Sequence, residues 1–312
     1  MCVECVKFTK EYGWIGCKNR DRNYKPKIRI LQSFKDNVES LIIYDELTTY
    51  SEGVNEFGVS ILNTATAVDD DENAAQDALR AKENQATLNN PDGLMLRRAL
   101  KFKTPKDTAE YLAKTGLIGH TVVFNKDECW ILEGGMSEKQ FNSNREAIKK
   151  DPKFVPPKID YTYTLRQVPK DEVLIRTNHG IDLPWLGYQN DTGSEKQTLS
   201  RESSEARLAY ATENCANVKT PEELIDALAK TDDKDPQLNT LRLGDYNKKS
   251  MLKTSCQICL VPAKKEMIYV PYWCEVTNLH NINNINNVKT KTYLSIRSRS
   301  VSESFKDYLK SI

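Results

Sequence analysis

The apolar positions of the first sixty residues come in short runs separated by turn-forming residues, the pattern of strands rather than helices. Cys2, Glu4, Val6 and Phe8 share one face of an extended segment, and Val3, Cys5, Lys7 and Thr9 share the other. Both faces are partly apolar, so the run of β-formers, not a clean alternation, predicts a strand over 2–9. A second strand over 14–20 follows Gly13, and the two are expected to pair. KIRIL (27–31), SLIIYD (40–45) and VSILN (59–63) read as further strands, with a turn at NEFG (55–58). Helical composition appears at 72–84 and 92–102. Thr104-Pro105 opens another helix, with a hydroxyl cap and proline at the first position. HTVVFN (120–125) and ECWILE (128–133) predict a hairpin, and the polar, Lys- and Pro-rich stretch 134–170 predicts a long connection with little regular structure. A strand at 172–178 is followed by helices at 202–216 and 221–230, the second behind a capping box that starts at Thr220. Strands close the chain near 254–261, 266–271 and 290–295, with a polar turn at NINNINN (281–287). Without an internal repeat or a clean linker, residues 1–312 read as one domain. Strands, then helices, then strands imply a layered fold with antiparallel sheets.

Composition narrows the class. A chain of 312 residues buries enough surface to form a sizeable core. Lys plus Arg number 45 and Asp plus Glu 44, so bulk charge gives no reason to expect nucleic acid or a membrane surface as partner. No run approaches the length of a membrane span. Glu4, Lys7 and Lys10 interrupt any apolar signal segment, so a cytoplasmic location is expected. The eight scattered cysteines then read as free thiols.

Four features carry candidate chemistry. Cys2 stands directly behind the initiator, where removal of Met1 would leave a thiol and a free α-amine on one residue. Cys2/Cys5 and Cys256/Cys259 form two CxxC pairs, but residues three apart in a strand point to opposite faces, which argues against a shared zinc ion. Of the three histidines (120, 179 and 280) none has a partner at zinc-ligand spacing, and only His179, in RTNHG, has a setting that suggests chemistry. The basic run Lys18, Arg20, Arg22, Lys25, Lys27, Arg29 reads as a solvated strand face or as an anion-binding wall, with a single-stranded nucleic-acid surface a weak third option because few aromatics interleave it. Asn19 and Asp21 share one face of the second strand, and pairing of the first two strands would bring Asp21 beside the N-terminus.

The order of these motifs resembles the N-terminal-nucleophile (Ntn) hydrolases of the choloylglycine hydrolase and penicillin V acylase type, with the related penicillin side-chain acyltransferases. The resemblance runs through Met1-Cys2, Gly16-Cys17-Lys18-Asn19-Arg20-Asp21, Glu52 to Val59 ending in Leu62-Asn63, Arg176-Thr177-Asn178-His179-Gly180 with Leu183-Pro184 and Gly187-Tyr188, Ser203-Ser204-Glu205-Ala206-Arg207, and Thr254 to Cys259. It implies an α+β fold, a four-layer αββα sandwich of two stacked antiparallel sheets covered by helices. It also implies hydrolysis or transfer at a linear amide of a small N-acyl compound, through an acyl-thioester on the N-terminal cysteine and without a cofactor or metal. A homo-oligomer is a common state in such relatives.

Carried over by position, Cys2 is the nucleophile with its own amine as base, since that amine titrates near ambient pH. Asp21 fixes the amine, Asn178 and Asn63 contact the tetrahedral oxyanion, and Arg207 supports the nucleophile. Lys18, Arg20 and His179 are expected to face the substrate. Where the bile-acid-cleaving branch has an arginine three residues before the aspartate, this chain has Lys18, which keeps the charge and loses the planar fork. The active-site arginine is open between Arg201 and Arg207. TNHG, then Gly187-Tyr188, then SSxxR lean toward the acyltransferase-like branch. Gly16-Cys17 is a rival nucleophile, because some relatives cut themselves before a Gly-Cys bond, but Cys17 lies too close to Asp21. A catalytically idle ligand-binding or assembly protein with the same fold is the alternative from another class.

Overall fold

The computed structural model describes residues 2–22, 24–66, 91–151, 160–187, 195–229, 231, 238–243, 252–278 and 292–296. The expected helix at 72–84 and the turn at 281–287 lie outside them, as do Tyr188 and His280. The first two strands pair as a hairpin: β1 (Cys2–Thr9) runs antiparallel to β2 (Gly13–Arg22), with Cys2 opposite Arg20 and Glu4 opposite Lys18. β11 (Lys253–Val261) takes the other edge of β2, and β10 (Leu174–Arg176) takes the outer edge of β1. β12 (Glu266–Pro271) and β14 (Thr292–Ser295) complete a six-stranded antiparallel sheet in the order β10-β1-β2-β11-β12-β14.

The second sheet is an eight-stranded meander with one added edge. Its order is β13-β3-β4-β5-β6-β7-β8-β9, from β3 (Lys27–Lys35), β4 (Val38–Asp45), β5 (Ser51–Asn55), β6 (Ser60–Thr64), β7 (Gly119–Phe124), β8 (Cys129–Met136), β9 (Tyr161–Gln167) and β13 (Glu275–Asn278). Among the described strands, only β13 on β3 is parallel.

Three apolar clusters show how the layers stack. Val6, Trp14, Ile258 and Leu260 of the first sheet pack with Ile30, Ile43, Leu62 and Phe124 of the second, so this cluster is the inter-sheet core. Val3, Ile15 and Val261 instead pack under α4 (Glu195–Cys215) and α5 (Pro221–Leu228) through Ala211, Leu224 and Leu228. Ile42, Ile61 and Val123 pack under α1 (Pro91–Ala99) and α2 (Pro105–Lys114) through Leu96, Ala99, Ala109 and Leu112. Helices, sheet, sheet, helices is the expected αββα sandwich, an α+β fold. The caps read from the sequence form as well: Thr104 Oγ1 accepts from Asp107 N–H and Thr220 Oγ1 from Glu223 N–H, each at 3.1 Å. No helix among the described residues is long and apolar enough to cross a membrane.

The largest correction concerns 134–170. It is not a bare connection: β8 continues to Met136, α3 covers Glu138–Lys150, and β9 covers Tyr161–Gln167. Ser137 caps α3 through Gln140 N–H, and among its described side chains Phe141 and Asn144 are buried, a sparse signal among Lys and Glu. The TYT of β9 is β-forming, but it lies on an edge with a half-exposed surface, so it lacks an apolar run. β13 escapes the sequence pattern for a related reason, being four residues long.

The loop after β10 is latched by one carboxylate. Glu133 on β8 is buried and accepts the backbone N–H groups of Ile181, Asp182 and Leu183 at 2.9, 3.1 and 2.9 Å, while His120 Nδ1 lies 3.2 Å away. His120 Nε2 also meets the His179 carbonyl at 3.0 Å, and Gly187 (φ +83°) lies so close to His179 that a Cβ would stand 2.6 Å from its Cα. Burial alone would raise the Glu133 pKa, but His120 and the backbone donors outweigh it and lower it to about 2. A lowered folded-state pKa stabilises the fold above the ordinary carboxylate range and loses that stabilisation as pH falls. We therefore expect Glu133→Gln to cost about 3 kcal/mol in denaturant unfolding at neutral pH. In the wild type the same stabilisation should fade between about pH 4.5 and 2.

Candidate active site

The inter-sheet face of the β1–β2–β11 ladder changes character along its length. At one end it is Phe8, Trp14, Val6 and Leu260; at the other it is Cys2, Glu4, Lys18, Arg20 and Arg22. Cys2, Arg20 and Cys256 form one cross-strand row, and Arg176, Glu4, Lys18 and Ile258 form the next. All of these polar residues are buried except Arg22, which is slightly exposed. The charges are met from the second sheet. Glu52 of β5 takes Lys18 on Oε1 and Arg20 on Oε2. Lys18 Nζ also donates to the Asn63 carbonyl and, at 3.1 Å, to Asn63 Oδ1. Arg22 reaches Asp45 Oδ2 at 2.9 Å.

Behind Cys2 stands a second set of donors. Arg207 of α4 is wholly buried and donates from Nη1 to the Cys2 carbonyl at 2.7 Å and from Nη2 to Asn178 Oδ1 at 2.8 Å. Cys2 N–H donates to the same Oδ1 at 3.1 Å, and Asn178 Nδ2 donates to the Ala65 carbonyl at 2.7 Å. Ser204 Oγ takes Asn178 N–H at 2.9 Å, so the SSxxR turn of α4 holds Asn178 by its backbone and by its side chain. Of the two arginines left open by the sequence, Arg207 touches Cys2, whereas Arg201 pairs with Glu205 along the helix at 2.6 Å.

The other expected site residues divide. Lys18, Arg20, Asn63 and Asn178 converge on the end of the inter-sheet space that holds Cys2. Asp21 lies on the other face of β2, one residue beyond Cys2's partner and on the side of the Cys2 nitrogen. Its carboxylate accepts from Thr254 Oγ1 at 2.8 Å and lies 3.4 Å from Arg242. The Cys2 nitrogen, as placed, is bonded to Asn178. His179 Nδ1 meets Ser204 Oγ at 2.8 Å and Thr177 Oγ1 at 3.3 Å, and burial with the nearby Arg201 lowers its pKa to about 4, so it is neutral and fastens the loop to α4.

The basic run does not form one continuous face. β2 ends at Arg22 and β3 begins at Lys27, so Lys18, Arg20 and Arg22 turn inward while Arg29 pairs with Glu46 at the surface. Glu52 and Glu4 are the partners that sequence reasoning missed. Glu52 lies inside a quoted motif, but nothing local marks it as the anion between two buried cations.

No family model and no curated protein sequence matches the chain. Among solved structures, it is similar to penicillin V acylase from Agrobacterium tumefaciens, 14% identical with a TM-score of 0.39, over 86% of this chain and 83% of that one. It is also similar to two variants of the conjugated bile acid hydrolase from Clostridium perfringens, each 13% identical. The cysteine-to-alanine mutant has a TM-score of 0.38 over 96% and 97% of the two chains, and the arginine-to-leucine variant 0.35 over 96% and 100%. Likeness at this level decides nothing about chemistry, which rests on the residues themselves.

Electrostatics distinguish Cys2 from the other thiols. All eight cysteines are free. Burial pushes the Cys2 thiol up, but Lys18 leads the nearby positive charges, Arg22 among them, that bring it down to about 6. Cys17 faces the helix layer beside Cys5, Cys215 and Cys259, and burial raises it well above the ordinary thiol range. The two CxxC pairs split as the strand geometry requires: Cys256 lines the inter-sheet core and Cys5 and Cys259 the helix layer. At neutral pH Cys2 is a thiolate and Cys17 a thiol. Lys18→Gln should therefore raise the Cys2 midpoint by about one unit or more, read as the ultraviolet thiolate absorbance of wild type minus Cys2→Ala across pH. Cys17→Ala should leave that titration in place.

Proposed function

We propose that the protein is an N-terminal-cysteine amidohydrolase or acyltransferase of the choloylglycine hydrolase and penicillin V acylase type, acting on a linear amide of a small N-acyl compound. The observation that carries the reading is the convergence on Cys2 of Lys18, which leads the charges that lower its thiol pKa, and of Arg207 and Asn178, which hold its backbone.

In this reading Met1 is removed and Cys2 becomes the first residue. The thiolate attacks the amide carbonyl, the C–S bond forms, and the carbonyl oxygen becomes an oxyanion. Asn178 Nδ2 has one N–H on Ala65 and a second for that oxyanion, and Asn63, whose Nδ2 gives one N–H to the Ser51 carbonyl, is the proposed second contact. Arg207 holds Asn178 by Oδ1, so the amide cannot flip its donor away. The C–N bond then breaks, and the leaving nitrogen takes a proton from the α-ammonium group of Cys2, which becomes the neutral amine; its ordinary pKa suits that exchange. Asp21, on the nitrogen side of Cys2, orients this amine. Water or an acceptor amine then resolves the thioester. Lys18 and Arg20, buried and fixed by Glu52, favour an acyl group or amine that carries a negative charge. The cytoplasm is the proposed location, and a homo-oligomer the proposed state.

A panel of N-acyl amino acids and acylated amines, assayed by release of free amine, tests the proposal. Cys2→Ala should abolish turnover and leave the thermal midpoint nearly unchanged, since only a sulfur atom is lost. Asn178→Ala should reduce kcat about 10²–10³-fold. Turnover that survives Cys2→Ala removes the proposed mechanism.

A further inference from the structure

Glu4 has no place in the mechanism above, yet it is the residue next to Cys2 on the same strand face. It is 1% exposed, and neither carboxyl oxygen has a hydrogen-bond partner among the described residues. In the ladder it stands directly between Arg176 on β10 and Lys18 on β2. Both cations direct their hydrogen bonds elsewhere, and the buried Arg176 Nε makes none. Arg176 donates to the Ile175 carbonyl and to Asp182 Oδ2, at 3.0 and 3.2 Å, and Lys18 to Glu52 and Asn63. From the opposite sheet the buried Thr64 hydroxyl lies beside Glu4 as the one neutral donor that favours its ionised form. An ionised carboxylate left in such a place, with one hydroxyl beside it and no strong hydrogen bond, would be costly.

The charges facing this pair can be followed element by element. Lys18 and Arg20 on β2 share one anion, Glu52 on β5, which leaves one positive charge over. Arg22 on the same strand is matched by Asp45 on β4, and Arg176 on β10 by Asp182. Arg207 on α4 faces the Cys2 end, not the Glu4 end. The surplus positive charge beside Lys18 lies between two acidic groups, and the α-amino group and Arg22 on the Cys2 side, against Asp21, favour Cys2 as the seat of the anion.

We propose that Cys2 and Glu4 hold one proton between them beside Lys18, with Glu4 as a positioning residue that carries the proton while Cys2 is a thiolate. The exchange is one proton: thiol with carboxylate on one side, thiolate with carboxylic acid on the other. Acylation converts the thiolate to a neutral thioester, and Glu4 then releases its proton to solvent, so that Lys18 keeps one anion beside it. Burial, with Cys2 as the like charge, raises Glu4 to about 8 against the opposing pull of Lys18 and Thr64, which agrees with this placement. The inference deepens the proposed function, but its test needs no substrate.

The infrared carbonyl stretch of a protonated carboxylic acid reports Glu4 directly. At neutral pH the wild type should show a band that Glu4→Gln lacks and that disappears near pH 8. In Cys2→Ser, whose hydroxyl does not ionise, the like charge is gone, and the band should disappear at a pH lower by about half a unit or more. A wild type without the band at neutral pH overturns the proposal, as does a band whose midpoint ignores Cys2→Ser. The comparison of wild type with Cys2→Ser stands even if Glu4→Gln fails to fold. Coupling seen in a protein that turns over no amide would keep the shared proton and remove only the amidohydrolase reading.

Discussion

One buried carboxylate, Glu52, joins the two sheets at the end that holds Cys2. It takes Lys18 and Arg20 from β2 on its two oxygens, and both cations depend on it because none of the three side chains is appreciably exposed. Such a network is weak evidence for stability, since the same space filled with apolar side chains is often no less stable. Its effect here is on position and charge. Lys18 is fixed within reach of Cys2, and Arg20 is directly opposite it in the ladder. Without Glu52 two like charges would remain in a closed space, and the sheets would separate or water would enter.

The rest of the architecture follows from keeping this polar end apart from the apolar one. β1 and β2 carry both, and the changeover falls within a few residues, from Val6 and Gly16 to Glu4 and Lys18. Because side chains alternate, the same strands present Val3, Cys5 and Cys17 to the helices. The α4 helix meets that face and turns Arg207 past it to the Cys2 carbonyl. The loop after β10 is held from two sides, by Glu133 at its far end and by Ser204 at Asn178, so the amide that faces Cys2 belongs to a rigid frame. In the proposed function a thiolate placed this way needs little rearrangement to react, which is the preorganisation that electrostatic catalysis relies on.

How legible this is in the sequence depends on the range of each signal. The hairpin of β1 and β2, the caps of α2 and α5, and the separation of Cys2 from Cys5 all follow from neighbours in the chain. The αββα layering comes from the ordered motifs, and the three apolar clusters agree with it. Partners far apart in sequence are not legible. Nothing around Glu52 says that it will meet two cations of β2, and nothing around Glu133 says that it will close a loop some fifty residues away. In the sequence Glu4 is one polar residue in an imperfect alternation, and its burial between Lys18 and Arg176 emerges only when β10 is added to the ladder. The helix α3 and strand β9 are hidden because elements with a sparse apolar signal resemble loops in composition. The Arg201 and Arg207 alternatives are separable only by where α4 points its faces.

The account depends on Cys2 being the first residue of the working protein. Intact mass and N-terminal peptide mass of the purified protein test this most directly. The account predicts a chain that begins at Cys2 with an unmodified α-amine. A chain that retains Met1, carries an acylated amine, or begins at Cys17 would contradict it.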